Sequence, residues 1–306
     1  MSRGELAETG ERCGFAAIIG ATNAGKSTLV NALVGAKVSI VTHKAQTTRG
    51  RVRGIALSGK SQIILVDTPG IFAPRRRLDR AMVETAWGEA READMAVVLS
   101  DAAKGLDDIL APVEQHKQDL RMPLVLALNK VDKVPKPRLL SLADEAARRL
   151  TFDRIFMISA LKGDGVEDLK AYLAEKMPLG PWLFAEDQIA DMPLRQWAAE
   201  ITREKLFLRL HEEVPYSLTV ETVSWKELKD GSIRIEQTIY VERESQRKIV
   251  LGEKGRVIKQ ISMEARSEIS QGLEVPVHLF LFVKVRENWA EDPERYREMG
   301  LEYPKL

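Results

Sequence analysis

The segment Gly20–Ser27 combines the residue types that bind phosphate. It reads Gly-Ala-Thr-Asn-Ala-Gly-Lys-Ser and stands between an apolar run and a helix-like segment. A glycine-rich loop that opens a helix directs backbone N–H groups and the positive end of the helix dipole at one point. Lys26 can reach the β and γ oxygens of a nucleotide, and the Ser27 hydroxyl can ligate Mg²⁺. The spacing matches the P-loop pattern in full. The predicted phosphate-binding residues are Gly20, Ala21, Asn23, Ala24, Gly25, Lys26, Ser27 and Thr28.

A second candidate is the turn Asp67-Thr68-Pro69-Gly70, which follows the apolar run Gln62–Val66. When strands alternate with helices, ligands bind beyond the carboxyl ends of the strands. An Asp that ends a buried strand can hold the hydration shell of Mg²⁺, and the Gly70 N–H can meet a γ-phosphate. Asp-Thr-Pro-Gly is also an ordinary turn sequence. Its place on the strand after the phosphate loop favours a γ-phosphate sensor.

A third candidate can choose the base, because Asn129-Lys130-Val131-Asp132 follows the apolar run Leu124–Leu128. Guanine offers two donors, N1–H and the exocyclic N2 amine, and a single carboxylate can accept from both, whereas adenine lacks that pair. Asp132 is the predicted acceptor, Asn129 would tie its loop to the P-loop or to base N7, and the Lys130 stem would lie across the base. After the next strand, the Ala160 N–H would meet guanine O6. The predicted guanine site is Asn129, Lys130, Asp132, Ser159, Ala160 and Leu161.

Composition limits the class of protein but does not select a partner. The 306 residues include 46 basic and 45 acidic side chains, so a nucleic-acid surface must be a local patch. The only cysteine, Cys13, excludes an internal disulfide and fits a reducing compartment. The first residues lack the apolar core of a secretory signal, and no apolar stretch is long enough to span a bilayer. The expectation is a soluble cytoplasmic protein.

Short apolar runs alternate with amphipathic segments through the first half of the chain, which predicts a mostly parallel sheet covered on both faces. The predicted strands are Phe15–Ile19, Arg51–Leu57, Gln62–Val66, Met95–Ser100, Leu124–Leu128 and Ile155–Ile158. The predicted helices are Ser27–Val34, Leu78–Ala93, Asp108–Leu120, Pro137–Leu150 and Val166–Lys176. Only four residues join the second and third strands, too few for a crossover helix, so that pair should be antiparallel and lie toward an edge.

A different pattern begins after a proline-containing linker over 177–193. Helical spacing is predicted for Leu194–Glu212, strands for Tyr216–Trp225, Ser232–Glu242 and Val277–Arg286, and helices on both sides of Gly252-Glu253-Lys254-Gly255. Paired glycines at a helix start let a nucleic-acid backbone pass close by, as in the KH module. Alone, Gly-x-x-Gly is weak, since it is usually only a turn.

Local charge supports an RNA role for this glycine loop. From residue 194 to the end there are 19 basic and 20 acidic residues, but from Arg243 to Lys259 there are six basic and two acidic. A basic patch inside a neutral module suits contact with phosphates. The predicted RNA-binding residues are Arg243, Arg247, Lys248, Gly252, Glu253, Lys254, Gly255, Arg256 and Lys259.

These motifs together resemble those of translation-factor-class GTPases. The stretch Lys44-Ala45-Gln46-Thr47-Thr48-Arg49 and the two-module layout further resemble the Era family of bacterial ribosome-assembly GTPases. By this resemblance Thr48 is the switch threonine that closes on Mg²⁺, with Thr47 a competitor, and both could be plain strand residues. The implied switch residues are Thr47, Thr48, Asp67, Thr68, Pro69 and Gly70. The implied metal ligands are Ser27, Thr48 and, through water, Asp67.

One position departs from Ras-like enzymes, in which a Gln after Asp-x-x-Gly orients the attacking water. Ile71 stands there and can neither accept from water nor stabilise charge, so slow unassisted turnover is predicted. A further hypothesis, drawn from similar GTPases, is that Asn23 helps to hold K⁺ near the β/γ bridge. Asn23 could instead only tie the loop to itself.

The resemblance implies an α/β P-loop GTPase domain, with a mostly parallel sheet and helices on both faces, followed by an α+β type II KH domain. The expected boundaries are a GTPase domain over 1–176, with 1–12 a flexible tail, a linker over 177–193 and a KH domain over 194–306. The implied function is a GTP-hydrolysing switch, with GTP or GDP and Mg²⁺ bound, that binds 16S rRNA near its 3′ end and assists maturation of the 30S subunit. Peripheral contact with the inner face of the cell membrane is reported for the family, and no DNA partner is expected.

Three other interpretations remain open at this point. The chain could be an RNA-binding scaffold that holds a nucleotide without hydrolysing it, or a P-loop enzyme that acts on ATP. It could also be a related GTPase of tRNA modification or large-subunit assembly. The single GTPase module and the terminal KH pattern disfavour the last of these, and Asn129–Asp132 disfavours ATP.

Overall fold

The computed structural model describes residues 10–42, 44, 47–50, 52–211 and 213–304, without the side chain of Glu298. These residues form two compact units. The first contains the described residues up to Asp191 together with those from Arg297 onward, and the second is Met192–Tyr296. The predicted KH domain extends to 306, whereas the structure groups the described residues after Tyr296 with the first unit.

The first unit is built on a six-stranded sheet with the order β2-β3-β1-β4-β5-β6. Its strands are β1 (Arg12–Gly20), β2 (Val52–Ser58), β3 (Ser61–Asp67), β4 (Met95–Asp101), β5 (Leu124–Asn129) and β6 (Arg154–Met157). Strand β2 pairs antiparallel with β3 at one edge, and the other pairs are parallel. The mostly parallel sheet with its antiparallel edge pair is therefore confirmed.

Helices cover both faces of this sheet, because neighbouring residues of each strand point to opposite sides. The helices are α1 (Lys26–Val34), α2 (Arg77–Glu92), α3 (Asp107–Gln115), α4 (Lys136–Arg149) and α5 (Val166–Lys176). Ile18 of β1 lies in a core with residues of α1 and α5, whereas the adjacent Ile19 lies in a second core with residues of α2, α3 and α4. Strand β1, which leads into the P-loop, is thus packed on both faces.

The predicted linker packs on the first unit beside β2 and β3. The buried side chain of Gln62 accepts hydrogen bonds from the Leu183 and Phe184 N–H groups at 2.9 and 3.0 Å, and its amide donates to the Phe184 carbonyl at 2.9 Å. Farther along, the Ile55 N–H donates to the Ile189 carbonyl at 2.9 Å. The last bond satisfies a backbone group of the edge strand β2, and the first three attach the linker to the Gln62 side chain of β3.

The second unit has the element order α-β-β-α-α-β. Its elements are α6 (Leu194–Arg209), β7 (Leu218–Glu227), β8 (Ile233–Val241), α7 (Glu244–Leu251), α8 (Arg256–Leu273) and β9 (Val277–Val285). Strand β8 is central, antiparallel to β7 and parallel to β9. Buried residues of α6, α7 and α8, among them Leu206, Val250 and Ile261, pack with Ile239 of the sheet. This is the topology expected of a type II KH domain.

Several predicted boundaries differ from the structure. Arg12 begins strand β1 rather than ending a tail, since it pairs with Ser61. Helix α3 ends at Gln115 and not at Leu120, because hydrogen-bonded turns follow it. Leu120 is nevertheless buried, and this explains why its spacing from the apolar residues of the helix suggested a longer helix. Helix α6 ends at Arg209. Some predicted elements fall partly outside the described residues. These parts are residues 1–9 of the tail, 45 and 46 of the switch stretch, 51 of the second strand and 212 of the helix that begins at Leu194.

Candidate nucleotide site and nucleic-acid interface

The P-loop follows β1, and α1 begins at Lys26. Gly25 occupies the cap position before this helix with φ 103°, a conformation that favours glycine. A Cβ added at Gly25 would also collide with the side-chain nitrogen of Asn129, and one at Gly20 would lie 2.7 Å from the Leu99 carbonyl oxygen. Both predicted glycines are therefore required by local geometry.

Lys26 is 7% exposed and lies inside the loop. Its ammonium group donates to the carbonyl oxygens of Gly20 at 3.1 Å and Ala21 at 3.0 Å. Burial lowers the pKa of Lys26 to about 8, and the nearby Asp67 carboxylate opposes that shift. A buried cation held by loop carbonyls is poised to exchange them for phosphate oxygens, which would favour its charged form.

Three oxygen-bearing side chains from three different segments meet beside the loop. The Ser27 hydroxyl donates to Oδ2 of Asp67 at 2.7 Å and lies 3.1 Å from the Thr48 hydroxyl. Thr48 also donates to Asp67 Oδ2 at 3.2 Å. Thr47 lies elsewhere, with its hydroxyl 3.0 Å from that of Thr42 and donating to the Lys44 carbonyl at 3.0 Å. The structure thus brings Thr48, and not its competitor, to the predicted metal ligands.

The donor set at this point fits Mg²⁺, which prefers oxygen ligands. Oδ1 of Asp67 is buried and has no partner at hydrogen-bond geometry within the described residues, although the buried Ser39 hydroxyl lies near enough to lower the pKa of the carboxyl. Burial raises the pKa of the Asp67 carboxyl, while Lys26 and the Ser27 hydroxyl act in the opposite direction. A cation at Ser27 and Thr48 would compensate the charge of the buried Asp67 carboxylate, and water bound to that cation would give the unpartnered oxygen a hydrogen-bond donor.

The predicted γ-phosphate sensor is held against β1. The Thr68 hydroxyl donates to the Ile18 carbonyl at 2.8 Å, and the Ile71 N–H donates to the Gly20 carbonyl at 3.0 Å. A Cβ added at Gly70 would lie 2.8 Å from a methyl group of Thr22, so a side chain there would press on the P-loop. Ile71 is 5% exposed, and its side chain packs in the core instead of facing a reacting water.

Asn129 joins the base-binding loop to the P-loop. Its amide nitrogen donates to the Ala24 carbonyl at 2.8 Å, which is the first of the two roles predicted for it. Its carbonyl oxygen accepts from the Ala160 N–H at 2.9 Å. The Ala160 N–H, expected to meet guanine O6, is therefore already engaged by Asn129, and it would have to be shared with a base.

Asp132 is oriented by Ser159 from the loop after β6. The Ser159 hydroxyl donates to Asp132 Oδ1 at 2.8 Å, and the Lys162 ammonium lies 3.8 Å from Oδ2. The hydrogen bond from Ser159 is the largest cause that lowers the pKa of Asp132. An ionised carboxylate held by one oxygen can still accept from two donors on the Watson–Crick edge of guanine. Next to it, Leu161 is 80% exposed and available to cover a base.

Sequence reasoning missed Asp101, which fixes the lysine of the same loop. Lys130 has φ 64°, and its ammonium group donates to the Asn23 carbonyl at 2.7 Å and to Asp101 Oδ2 at 2.6 Å. The stem is thereby stretched between two loops, consistent with the predicted position across a base. Asp101 ends strand β4, so the rule on carboxyl ends of strands could have found it.

In the second unit, the predicted glycine loop joins α7 to α8. Gly252 has φ 70° and Gly255 has φ 75°, and Gly255 is the cap residue before α8. A Cβ at Gly252 would collide with Val257, but one at Gly255 would meet no described atom within 4 Å. The loop therefore leaves open space at the start of a helix, where a backbone phosphate can approach N–H groups.

Most predicted RNA-binding side chains are exposed around this loop: Arg243, Lys248, Glu253, Lys254, Arg256 and Lys259. Arg247 is more constrained, since it donates to the Val283 carbonyl at 3.2 Å and pairs with Glu244 at 2.8 Å. Ile249, beside the loop, is 50% exposed. The patch offers cations and an apolar side chain without enclosing them, which suits a flexible single strand.

The fold and the first site together define a P-loop GTPase, since the phosphate loop, the metal ligands and the base loops meet at one end of the sheet. Family comparison agrees: residues 15–130 match the model described as 50S ribosome-binding GTPase, and residues 213–290 match that of the KH domain. The chain is 64% identical to GTPase Era of Brucella suis biovar 1 (strain 1330), over 98% of this chain and 97% of the relative. It is 63% identical to GTPase Era of Sinorhizobium medicae (strain WSM419), over 96% of this chain and 95% of that relative. The chain belongs to the Era family of GTPases.

Solved structures are similar over nearly the same length. A crystal structure of Era in complex with MgGDPNP and nucleotides 1506-1542 of 16S ribosomal RNA is 39% identical, with a TM-score of 0.89 over 95% of this chain and 99% of the other. A crystal structure of an Aquifex aeolicus Era variant bound to GDP.AlF4- has the same identity and TM-score, over 94% of this chain and 99% of the other. Both units of this chain therefore have counterparts in Era.

Proposed function

We propose that this protein hydrolyses GTP as a switch, binds 16S rRNA near its 3′ end through the second unit, and assists maturation of the 30S subunit. The observation that carries the proposal is the meeting of Thr48 with Ser27 and Asp67, at 3.1 and 3.2 Å. A threonine from a loop before β2 at the metal ligands is what a γ-phosphate-dependent switch requires.

Binding and orientation of GTP are assigned to the residues of the first unit. Lys26 and the loop N–H groups hold the β- and γ-phosphates, while Asp132, fixed by Ser159, accepts from guanine N1–H and N2. Ser27, Thr48 and, through water, Asp67 would hold Mg²⁺, which would supply positive charge to the phosphate oxygens. When the γ-phosphate leaves, Thr48 and Gly70 lose their common partner, so the segments around them change together.

The attacking water must be positioned by backbone groups or by a partner, because the Ile71 side chain is apolar and buried. Slow turnover of the isolated protein therefore remains the prediction. Asn23, exposed and with φ 63°, stays the candidate for holding K⁺ near the β/γ bridge. Equal hydrolysis rates in potassium and sodium buffers would show that this hypothesis is wrong.

RNA binding is assigned to the loop Gly252–Gly255 and the exposed cations around it. Support comes from the Era structure described as a complex with nucleotides 1506-1542 of 16S ribosomal RNA, to which this chain is 39% identical. The second unit has the same α-β-β-α-α-β order as a KH domain, and the six basic residues between 243 and 259 concentrate positive charge there.

Phosphate release from GTP, with and without an RNA of the 3′ end of 16S rRNA or purified 30S subunits, tests the switch. We expect slow release that either addition stimulates. Absence of release would favour the scaffold interpretation, and competition by ATP as strong as by GTP would favour an ATP enzyme.

The variant Gly255→Asp tests the assignment of the RNA site. An added carboxylate should abolish RNA binding by repelling phosphates, while the affinity for GTP stays unchanged. Gly255 is preferable to Gly252, because a side chain at Gly252 would also collide with Val257. Equal losses of RNA and GTP binding would mean that the RNA site lies elsewhere.

Cellular location is also a proposal. No helix among the described residues is long and apolar enough to cross a membrane. We expect the protein in the cytoplasmic fraction, with a share on the inner face of the cell membrane by analogy with the family. Fractionation of cells with a tagged protein, with and without a high-salt wash, measures both shares.

A further inference from the structure

The described C-terminal residues lie on the two segments that the proposed switch would move. Met299, Leu301 and Tyr303 belong with the first unit, which resumes at Arg297, whereas Met192–Tyr296 form the second. Leu301 is 4% exposed, so this short stretch buries an apolar side chain. We name residues 299–304 the C-terminal segment.

The first contact is at Gly50, two residues after Thr48. A Cβ added at Gly50 would collide with the Met299 carbonyl oxygen and would lie 3.0 Å from the Met299 carbonyl carbon. Gly50 therefore permits a close backbone approach that another residue would prevent. Because Thr48 meets Ser27 and Asp67, Gly50 is anchored close to the metal ligands in this arrangement.

The second contact is at Arg77, the first residue of α2, seven residues after Gly70. The Arg77 guanidinium lies over the Tyr303 ring, 5.1 Å from its centroid, and donates to the Tyr303 hydroxyl. The start of this helix is fixed by Asp79, whose carboxylate accepts from the Arg75 and Arg76 N–H groups at 3.0 Å each. Tyr303 therefore contacts the helix that follows the γ-phosphate sensor, and a shift of that helix would break the contact.

We propose that the C-terminal segment is an internal ligand of the switch, which docks when both switch segments adopt the arrangement in which Thr48 meets Ser27 and Asp67. Loss of the γ-phosphate moves the partners at Gly50 and Arg77, and the segment is released. This inference rests on the proposed function, since it needs a nucleotide-dependent switch. It adds a regulated element that the nucleotide and RNA sites do not contain.

Thermodynamic linkage makes the proposal quantitative. If docking of the C-terminal segment raises the affinity for GTP by some factor, then removal of the docking contacts must lower the affinity for GTP by that factor. The variant Tyr303→Ala should therefore lower affinity for a non-hydrolysable GTP analogue with Mg²⁺ by roughly fivefold or more, with GDP affinity unchanged. Glu302→Ala is the matched control, because Glu302 is an exposed neighbour in the same segment.

Gly50→Ala tests the contact from the other side. Its side chain should displace Met299 and produce the same selective loss of GTP-analogue affinity. Gly88→Ala is the control, since an added Cβ at Gly88, inside α2, meets no described atom within 4 Å. If Gly50→Ala and Gly88→Ala bind the GTP analogue with equal affinity, the close approach of Met299 to Gly50 has no role in the switch.

The deciding experiment is hydrogen exchange of the full chain, followed in peptides that cover 299–304, with the GTP analogue and Mg²⁺ or with GDP. We expect at least about fivefold slower exchange in the analogue state, and loss of that difference in Tyr303→Ala. Equal exchange with both nucleotides bound would overturn the inference while leaving the proposed function intact. Failure of the protein to bind either nucleotide would instead overturn the proposed function itself.

Discussion

Two loops in this molecule each begin a helix with a glycine in the left-handed region, but their surroundings differ. Gly25 precedes α1 with φ 103°, and Gly255 precedes α8 with φ 75°. A side chain at Gly25 would collide with Asn129, whereas at Gly255 no described atom lies within 4 Å. A glycine with positive φ before a helix therefore lies in an enclosed site in the first unit and on an open surface in the second.

The difference explains what each loop can recognise. Around Gly25, side chains from several strand ends converge, and Lys26 is buried, so a ligand of fixed shape and charge is selected. Around Gly255, all of the predicted cations except Arg247 are exposed, so a polymer backbone can run past them. Enclosure supports stereospecific phosphate chemistry, and openness supports binding along a strand.

The largest expected loss of ligand affinity comes from alanine at the glycine that precedes the helix, and the comparison replaces Gly25 and Gly255 in turn. Gly25→Ala combines backbone strain with a collision, and should lower nucleotide affinity by roughly 100-fold or more. Gly255→Ala adds backbone strain of about 1 to 2 kcal/mol, but the free and the RNA-bound loop both carry that strain and no collision is added, so RNA affinity should fall less than about tenfold. Calorimetric titration of each variant measures both values. Similar losses at the two positions would remove the distinction between an enclosed and an open loop.

A smaller effect should separate the two neighbouring threonines. Thr48→Ala removes a hydroxyl from the metal ligands and should weaken binding of a GTP analogue with Mg²⁺ by roughly tenfold, with GDP affinity unchanged. Thr47→Ala is the matched control, because its hydroxyl bonds to Thr42 and Lys44 instead. The affinity should then change by no more than about twofold. The reverse pattern would assign the switch role to Thr47.

The smallest effect concerns a single exposed cation of the open loop. Lys254→Ala should weaken RNA binding only several-fold, but it should reduce the slope of log affinity against log salt concentration by about one. Lys229→Ala, in the hairpin turn between β7 and β8, is a control of the same type and charge. Binding measured from low to high salt gives the slopes. An unchanged slope for Lys254→Ala would mean that this residue contacts no phosphate.

The enclosed site was more predictable from the sequence than its surroundings. Residue types at strand ends placed Lys26, Asp67, Asn129 and Asp132 because the sheet brings those ends together. Sequence could not choose between Thr47 and Thr48, since adjacent residues of an irregular loop have no periodicity to fix which one turns inward. It also did not predict that the Ala160 N–H is engaged by Asn129, because that depends on distances between loops.

Contacts of high sequence separation were missed for a related reason. Asp101 pairs with Lys130, and Tyr303 contacts Arg77, although neither the acidic nor the aromatic residue stands in a motif. A charged or aromatic residue outside a motif has many possible partners, and only the folded chain selects one. The alternation of strands and helices, by contrast, repeats along the chain, and it predicted the sheet with its antiparallel edge correctly.

The central claim is that Asp132 selects guanine by accepting from both donors on its edge. Asp132→Asn replaces one acceptor with a donor, which complements xanthine, whose 2-oxo group is an acceptor. The direct measurement is competition between GTP and xanthosine triphosphate for the variant and the parent. The account predicts that the parent prefers GTP and that the variant prefers xanthosine triphosphate. A variant that still prefers GTP as firmly as the parent would contradict it.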